Sequence, residues 1–394
     1  MTSTPRAHPA GNFSAGGELP QIAPLDGIRG IAALMVIVFH GWQVGAFDGP
    51  GLRLLALVAK FGQTGVDLFF VLSGFLITRI LLASRTSPHY FRNFYARRSL
   101  RIFPLYYFFL FVWIFGVPLL QNHPLAPFRQ TWWWWCYLQN IPSTWAHAGT
   151  AIAGPGHYWS LAVEEHFYLV WPLIVLLVPR RRLIWVSGLL IVLAILVRYV
   201  FIYKLGLPVF FFTLCRVDAL AWGTLLACLE TNLSIIRFRK LFLVTFIALI
   251  PLLVVVWTRF TEQGAGWLQV VKYTFVGAIY WAFLGLVICD RNARWIRFGL
   301  ANKPLRFCGK VSYGLYVYQG LTLWLAEPWL SSKYGLVSLV AMILATLVIS
   351  WLSFRLLESP FLRMKKFFEY GAAKRPGAGM PAPIPSVSNI IANP

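Results

Sequence analysis

An all-α bundle of membrane-crossing helices is the fold class this sequence predicts, and three observations carry it. Only 12% of the 394 residues are charged, about half the globular norm of roughly 25%. Apolar runs of about 18 or more residues, each able to cross a hydrocarbon core of about 30 Å, recur along the chain, and the mean hydropathy is +0.66. The cations are also sorted between alternate loops, as the topology of a multi-pass protein requires.

The apolar runs place about ten transmembrane helices, at 28–47, 66–84, 102–120, 159–178, 183–203, 209–229, 241–257, 270–289, 311–330 and 336–356. Of the 35 Lys and Arg residues, 25 fall at the termini and in the loops 85–101, 179–182, 230–240 and 290–310, against 6 in the opposite loops. The positive-inside rule then puts both termini in the cytoplasm, with the chain in the cytoplasmic (inner) membrane. Four cations, Arg79, Arg198, Arg216 and Lys272, lie within spans. The net charge of +22 is read as this topological bias, so no nucleic-acid partner is expected. Membrane lipid is an expected partner, since part of the inner excess can hold anionic lipid or phosphate.

Residues 1–24 are polar and lack the compact pattern of a cleaved signal peptide. The expected organisation is a disordered cytoplasmic N-terminus over 1–24, a membrane domain over 25–365 and a disordered cytoplasmic tail over 366–394. The five cysteines form no CxxC pair and read as small packing residues, with no metal expected.

The first helix carries Arg29 and His40, eleven residues apart. Eleven steps make three turns plus about 20°, so both lie on one face, about 16 Å apart along the axis. Ionisable groups inside a spanning helix are costly and usually functional. His40 reads either as a histidine hydrogen-bonded to neighbouring helices or as a general base, because an imidazole with an ordinary pKa of about 6.5 accepts a proton near neutral pH.

The second helix opens with Gly65-Val-Asp67 and carries Ser73-Gly74. The small pair offers a surface for close helix approach, and Asp67 complements the helix dipole. Before the third helix stand Arg97, Arg98 and Arg101, with Pro104 suiting that helix's first turn. Spacings of three and four let the arginines converge on one face. They serve either as a positive-inside anchor or as a phosphate clamp of paired guanidinium hydrogen bonds.

Between residues 121 and 157 lies Thr131-Trp-Trp-Trp-Trp-Cys-Tyr137. It is too short to span, and its aromatic character fits a re-entrant or interfacial helix. The fourth helix carries Trp159-Ser160 and Glu164-Glu165, with Ser160, Glu164 and Tyr168 at fourfold spacing on one face. Carboxylates in a span face the protein interior or water. Gly309-Lys-Val-Ser312-Tyr enters the ninth helix, and Glu358-Ser-Pro360 ends the tenth.

Six segments in this order resemble the membrane-bound acyltransferase 3 family, which includes O-antigen acetylases and macrolide acyltransferases. The likeness runs from about residue 20 to 365. The family's Arg-x10-His signature falls on Arg29 and His40, its Arg-x-x-Arg on Arg98 and Arg101, and its Trp-Ser-Leu-x-x-Glu on Trp159, Ser160, Leu161 and Glu164. One departure is Gln319, where relatives commonly carry a histidine. Glutamine forms hydrogen bonds but takes up no proton at neutral pH, so Gln319 is left out of the catalytic set.

The resemblance implies an integral-membrane O-acyltransferase. It would move an acyl group, acetyl being the simplest, from cytoplasmic acyl-CoA to a hydroxyl of a carbohydrate, glycolipid or natural product. His40 and Glu164 are the expected catalytic pair. Arg29, Arg97, Arg98 and Arg101 are expected to bind the donor, and Asp67, Ser73, Trp159, Ser160 and Tyr168 to bind or support the acceptor. The rival reading is a transporter of an acyl donor or lipid-linked sugar, although the repeat common in transporters is not visible.

Overall fold

The computed structural model describes residues 22–48, 51–145, 154–232, 234–259, 266–330 and 334–370. Most of the expected disordered ends, 1–21 and 371–394, lies outside the described residues. Ten long helices organise the rest: α1 (Ala23–Gln43), α2 (Gly65–Ser84), α3 (Tyr90–Phe111), α4 (Trp159–Leu177), α5 (Leu183–Val200), α6 (Thr213–Asn232), α7 (Arg239–Arg259), α8 (Gly266–Cys289), α9 (Ser312–Leu330) and α10 (Gly335–Ser353). There is no strand among the described residues. Seven helical stretches are long and apolar enough to cross a membrane, and the chain is a membrane protein of this multi-helix kind.

The outer surface fits hydrocarbon. On α10, Val337, Val340, Leu344 and Val348 recur every three or four residues and are each more than half exposed, which makes one apolar stripe along a helix. A stripe of this extent marks contact with a membrane or partner, not with water.

The core is tightest between α2 and α6. A Cβ added at Gly74 would lie 2.0 Å from the Leu220 carbonyl oxygen, and one at Gly223 would lie 2.0 Å from that of Val71. The two backbones therefore touch without intervening side chains, as the Ser73-Gly74 pair predicts. On the other side of the bundle, α1 packs along the short helix Lys303–Lys310, and α9 along α10.

Two expectations need correction. The third helix starts at Tyr90, not near residue 102, so Pro104 lies inside it and the arginines lie on the helix instead of before it. Hydropathy marks the part of a helix that meets lipid, and α3 extends beyond that part. Pro104 brings no amide hydrogen and leaves one carbonyl of the preceding turn without its helical partner. A π-turn follows at Val112–Gly116.

The second correction concerns the tail. Residues up to Tyr370 are ordered: a 3-10 turn at Met364–Phe368 lies beside α3, where the Asn93 amide donates to the Glu369 carbonyl at 2.7 Å. The tryptophan-rich segment forms a short helix, Phe128–Trp135, docked on the bundle. The Tyr106 hydroxyl donates to the Trp134 carbonyl at 2.7 Å, and Trp134 is buried.

Candidate active site

Three of the cations placed within spans have acidic partners. Arg79 meets Glu230 at 3.0 Å, Arg198 meets Asp218 at 2.9 Å and Arg216 meets Asp67 at 2.7 Å. Charges taken from water survive only when paired and hydrogen-bonded. Arg198 meets that condition fully: its guanidinium also donates to the carbonyls of Val270 at 2.7 Å and Cys215 at 2.6 Å, and to Thr274 Oγ1 at 2.5 Å. Arg216 differs. Its Nε and Nη1 are buried without a hydrogen-bond partner. Aromatic faces surround it, with Tyr273 at 4.0 Å, Phe210 at 5.2 Å and Trp159 at 5.5 Å from ring centre to guanidinium carbon, a cation–π arrangement.

A narrow cavity of about 80 Å³ runs between α1, α2, α3, α4 and α9. Seven of the expected site residues line it: Arg29, Ser73, Arg98, Arg101, Ser160, Glu164 and Tyr168. Glu164 is the hub. Ser73 Oγ donates to its Oε1 at 2.5 Å, and Arg98 and Arg29 are its charged neighbours. The guanidinium of Arg98 lies 4.9 Å from the ring centre of Tyr168. Arg29 stands 4.0 Å from Asp26, and Arg101 has Glu358 as an acidic neighbour.

Two helices thus deliver three guanidinium groups to one space, α1 through Arg29 and α3 through Arg98 and Arg101. Planar guanidinium forks suit phosphate oxygens, so these residues suit a phosphate-bearing or otherwise anionic ligand. The same lining also carries the hydroxyl groups of Ser160 and Tyr316. Ser160 Oγ and the Tyr316 hydroxyl are hydrogen-bonded to each other, and the Tyr316 hydroxyl donates to the His157 carbonyl at 2.6 Å.

Four expected residues lie elsewhere. Arg97 points to the segment that follows α10: its Nη1 donates to the carbonyls of Lys365 at 3.2 Å and Phe368 at 3.4 Å, and it lies over the Tyr370 ring. Adjacent helical residues diverge by about 100°, which separates Arg97 from Arg98. Asp67 and Trp159 belong to the Arg216 cluster. His40 lies in the last turn of α1, and it does not line the cavity.

His40 instead meets Gln319 of α9, Nδ1 to Oε1 at 3.3 Å. An amide can accept from or donate to an imidazole nitrogen, so the His40 tautomer is tied to the orientation of the Gln319 amide. The His157 ring is 6.4 Å away, centre to centre, and its Nε2 donates to the Val317 carbonyl at 3.2 Å. His157 is also 5.6 Å from the Tyr316 ring, which lines the cavity. Ring contacts through His157 and Tyr316 thus link His40 to the wall of the cavity.

The acyltransferase domain family matches residues 22–355 of this sequence. The chain belongs to that family of acyltransferases. It is similar to the peptidoglycan O-acetyltransferase OatA of Listeria monocytogenes, 29% identical over 378 residues, covering 89% of this chain and 57% of that protein. It is similar to the O-acetyltransferase OatA of Staphylococcus aureus, 27% identical over 377 residues, covering 88% of this chain and 58% of that protein. The chain thus spans a little over half the length of these relatives. No solved structure matches it.

Sequence reasoning missed several lining residues. Glu165, Tyr313 and Tyr316 all line the cavity. Their signals were present: Glu165 adjoins Glu164, and the tyrosines lie in the Gly309–Gln319 segment. Gln319, outside the expected catalytic set because it does not titrate, hydrogen-bonds His40.

Proposed function

We propose that this protein transfers an acyl group from acyl-CoA to a hydroxyl of a carbohydrate acceptor, with acetyl as the group and a cell-wall polysaccharide as the acceptor. The observation that carries the reading is the convergence of Arg29, Arg98 and Arg101 with Glu164 in one cavity. The names of the two relatives support the acetyl group, and that of the Listeria protein supports a peptidoglycan acceptor.

In this reading the arginines hold the donor's phosphates, and all ten long helices cross the membrane with both termini in the cytoplasm. The 25:6 distribution of cations supports that orientation. His40 Nε2 takes the proton from the acceptor hydroxyl as its oxygen bonds to the thioester carbonyl carbon. The carbon–sulfur bond then breaks, and the coenzyme A thiolate leaves and takes up a proton. Gln319 fixes the His40 tautomer, and Glu164, held by Ser73, offsets the arginines. The Tyr316–Ser160 contact has to part before a thioester in the cavity meets His40.

The test uses purified chain in lipid nanodiscs with radiolabelled acetyl-CoA and peptidoglycan fragments. Base-labile label on the saccharide is the expected result. Release of free acetate without saccharide labelling, or uptake without any covalent product, would overturn the reading.

A further inference from the structure

Between α8 and α9 the chain forms two short helices, Arg294–Gly299 and Lys303–Lys310. Asn302 caps the second, its Oδ1 accepting from the Leu305 amide at 2.9 Å, and Pro304 suits the first turn. Each helix buries one side: Ile296 on the first, Cys308 and Gly309 on the second. The other side of each shows cations beside aromatic rings. Lys303, Arg306, Phe307 and Lys310 are exposed, and spacings of three and four put them on one helical face. The first helix exposes Arg294, Trp295, Arg297 and Phe298.

The charge on this surface is uncompensated. Residues 290–310 contain six Lys and Arg and one acid, Asp290. Arg239 at the start of α7 occupies that acid through Nε and Nη2, at 2.9 Å each. Among the described residues no acid forms an ion pair with Arg294, Arg297, Lys303 or Arg306, while Lys310 lies over the Phe354 ring. Topological bias accounts for cations in this loop, but not for Trp295, Phe298 and Phe307 exposed among them. Cations and aromatic rings together suit a layer of anionic headgroups over acyl chains. The segment also starts where the apolar stretch of α8 ends, which sets it at a membrane face.

The buried side grips α1. The Leu300 carbonyl abuts Gly27, the Leu305 carbonyl abuts Gly30 and the Asp26 carbonyl abuts Gly309, each so closely that a Cβ would not fit. Arg29, which lines the arginine-lined cavity, stands between those two α1 glycines in sequence.

We propose that the exposed face of residues 294–310 is a docking site for anionic phospholipid headgroups, and that a lipid held there steadies the turn of α1 that carries Arg29. The proposal goes beyond the acyl-transfer reading and its test uses no donor or acceptor.

The purified full chain in detergent is titrated with phosphatidylglycerol and, separately, with phosphatidylcholine, and bound lipid is counted by native mass spectrometry. Tighter binding of phosphatidylglycerol is expected. Arg297→Gln/Arg306→Gln should weaken it about 30-fold, the equivalent of about 1 kcal/mol for each cation at a lipid surface. Arg181→Gln/Arg182→Gln removes the same charge from exposed positions of another loop and should leave the affinity unchanged. Thermal unfolding checks that both variants keep the fold. In nanodiscs, amide exchange over residues 26–30 should be slower in phosphatidylglycerol than in phosphatidylcholine, and the difference should vanish in the Arg297→Gln/Arg306→Gln protein. Equal binding of the two lipids, or equal losses in the two double variants, would overturn the headgroup site. Selective binding without slower exchange at residues 26–30 would overturn its link to α1.

Discussion

His40 and Gln319 meet at 3.3 Å across 279 residues of sequence, the imidazole Nδ1 facing the amide oxygen. An amide can set which nitrogen of an imidazole carries the proton, so this contact couples Gln319 to the protonation chemistry of His40. A residue that never titrates can therefore govern one that does.

Removing the base should cost most. His40→Ala is expected to lower kcat by about 100-fold to 10,000-fold, the usual worth of general-base catalysis. Gln319→Leu keeps the imidazole but loses its partner, and a drop of about tenfold is expected from one hydrogen bond. Transfer of radiolabel, with the KM for acetyl-CoA measured alongside, checks both. An unchanged kcat in folded His40→Ala protein would remove His40 from the step.

The two neighbouring arginines on α3 should behave differently. Arg98→Ala is expected to raise the KM for acetyl-CoA about tenfold to 100-fold, as for a lost charge-assisted contact. Arg97→Ala should leave that KM near its starting value, because Arg97 faces the carbonyls at residues 365 and 368. Parallel titration of both variants with the donor separates them. Equal effects would contradict the division between cavity and tail.

The Arg198–Asp218 pair is a stability element. Asp218→Ala leaves a guanidinium buried without its counter-charge, and a loss of about 3–5 kcal/mol is expected. The double replacement Arg198→Met/Asp218→Leu should recover much of it, since burying neither charge avoids the desolvation cost. Thermal unfolding in one detergent, compared across the three proteins, measures this. A single variant as stable as the parent would refute it.

Gly74 tests the tightest contact. Gly74→Ala forces a methyl against the Leu220 carbonyl, a backbone atom that cannot rotate away. A loss of at least about 1–3 kcal/mol is expected from overpacking, while Gly116→Ala, which meets only a Val112 methyl at 3.7 Å, should be nearly neutral on that count. Unfolding midpoints of the two variants provide the comparison.

Much of this architecture was legible in the sequence. Hydropathy located the long helices because lipid and buried core impose the same apolar demand. Spacing put Arg98 and Arg101 on one face, and the Ser73-Gly74 pair announced a close helix contact. The start of α3 was hidden because Tyr90–Arg101 is helical yet too polar for a hydropathy signal. Pairings across the fold were hidden for a different reason. Nothing local to Asp67 names Arg216 as its partner, 149 residues away, and nothing local to Gln319 names His40. Arg97 and Arg98 look equivalent in sequence, and only the placement of residues 364–370 tells them apart.

Where α2 and α6 touch backbone to backbone, no side chain remains to cushion sliding, so this pair is the keel of the molecule. Ser73 rides on that keel, while Arg98 and Arg101 ride on α3, whose regular bonding is broken at Pro104 and again at Val112–Gly116. Of the walls of the arginine-lined cavity, α3 is thereby the more deformable and α2, with Ser73 beside Glu164, the stiffer.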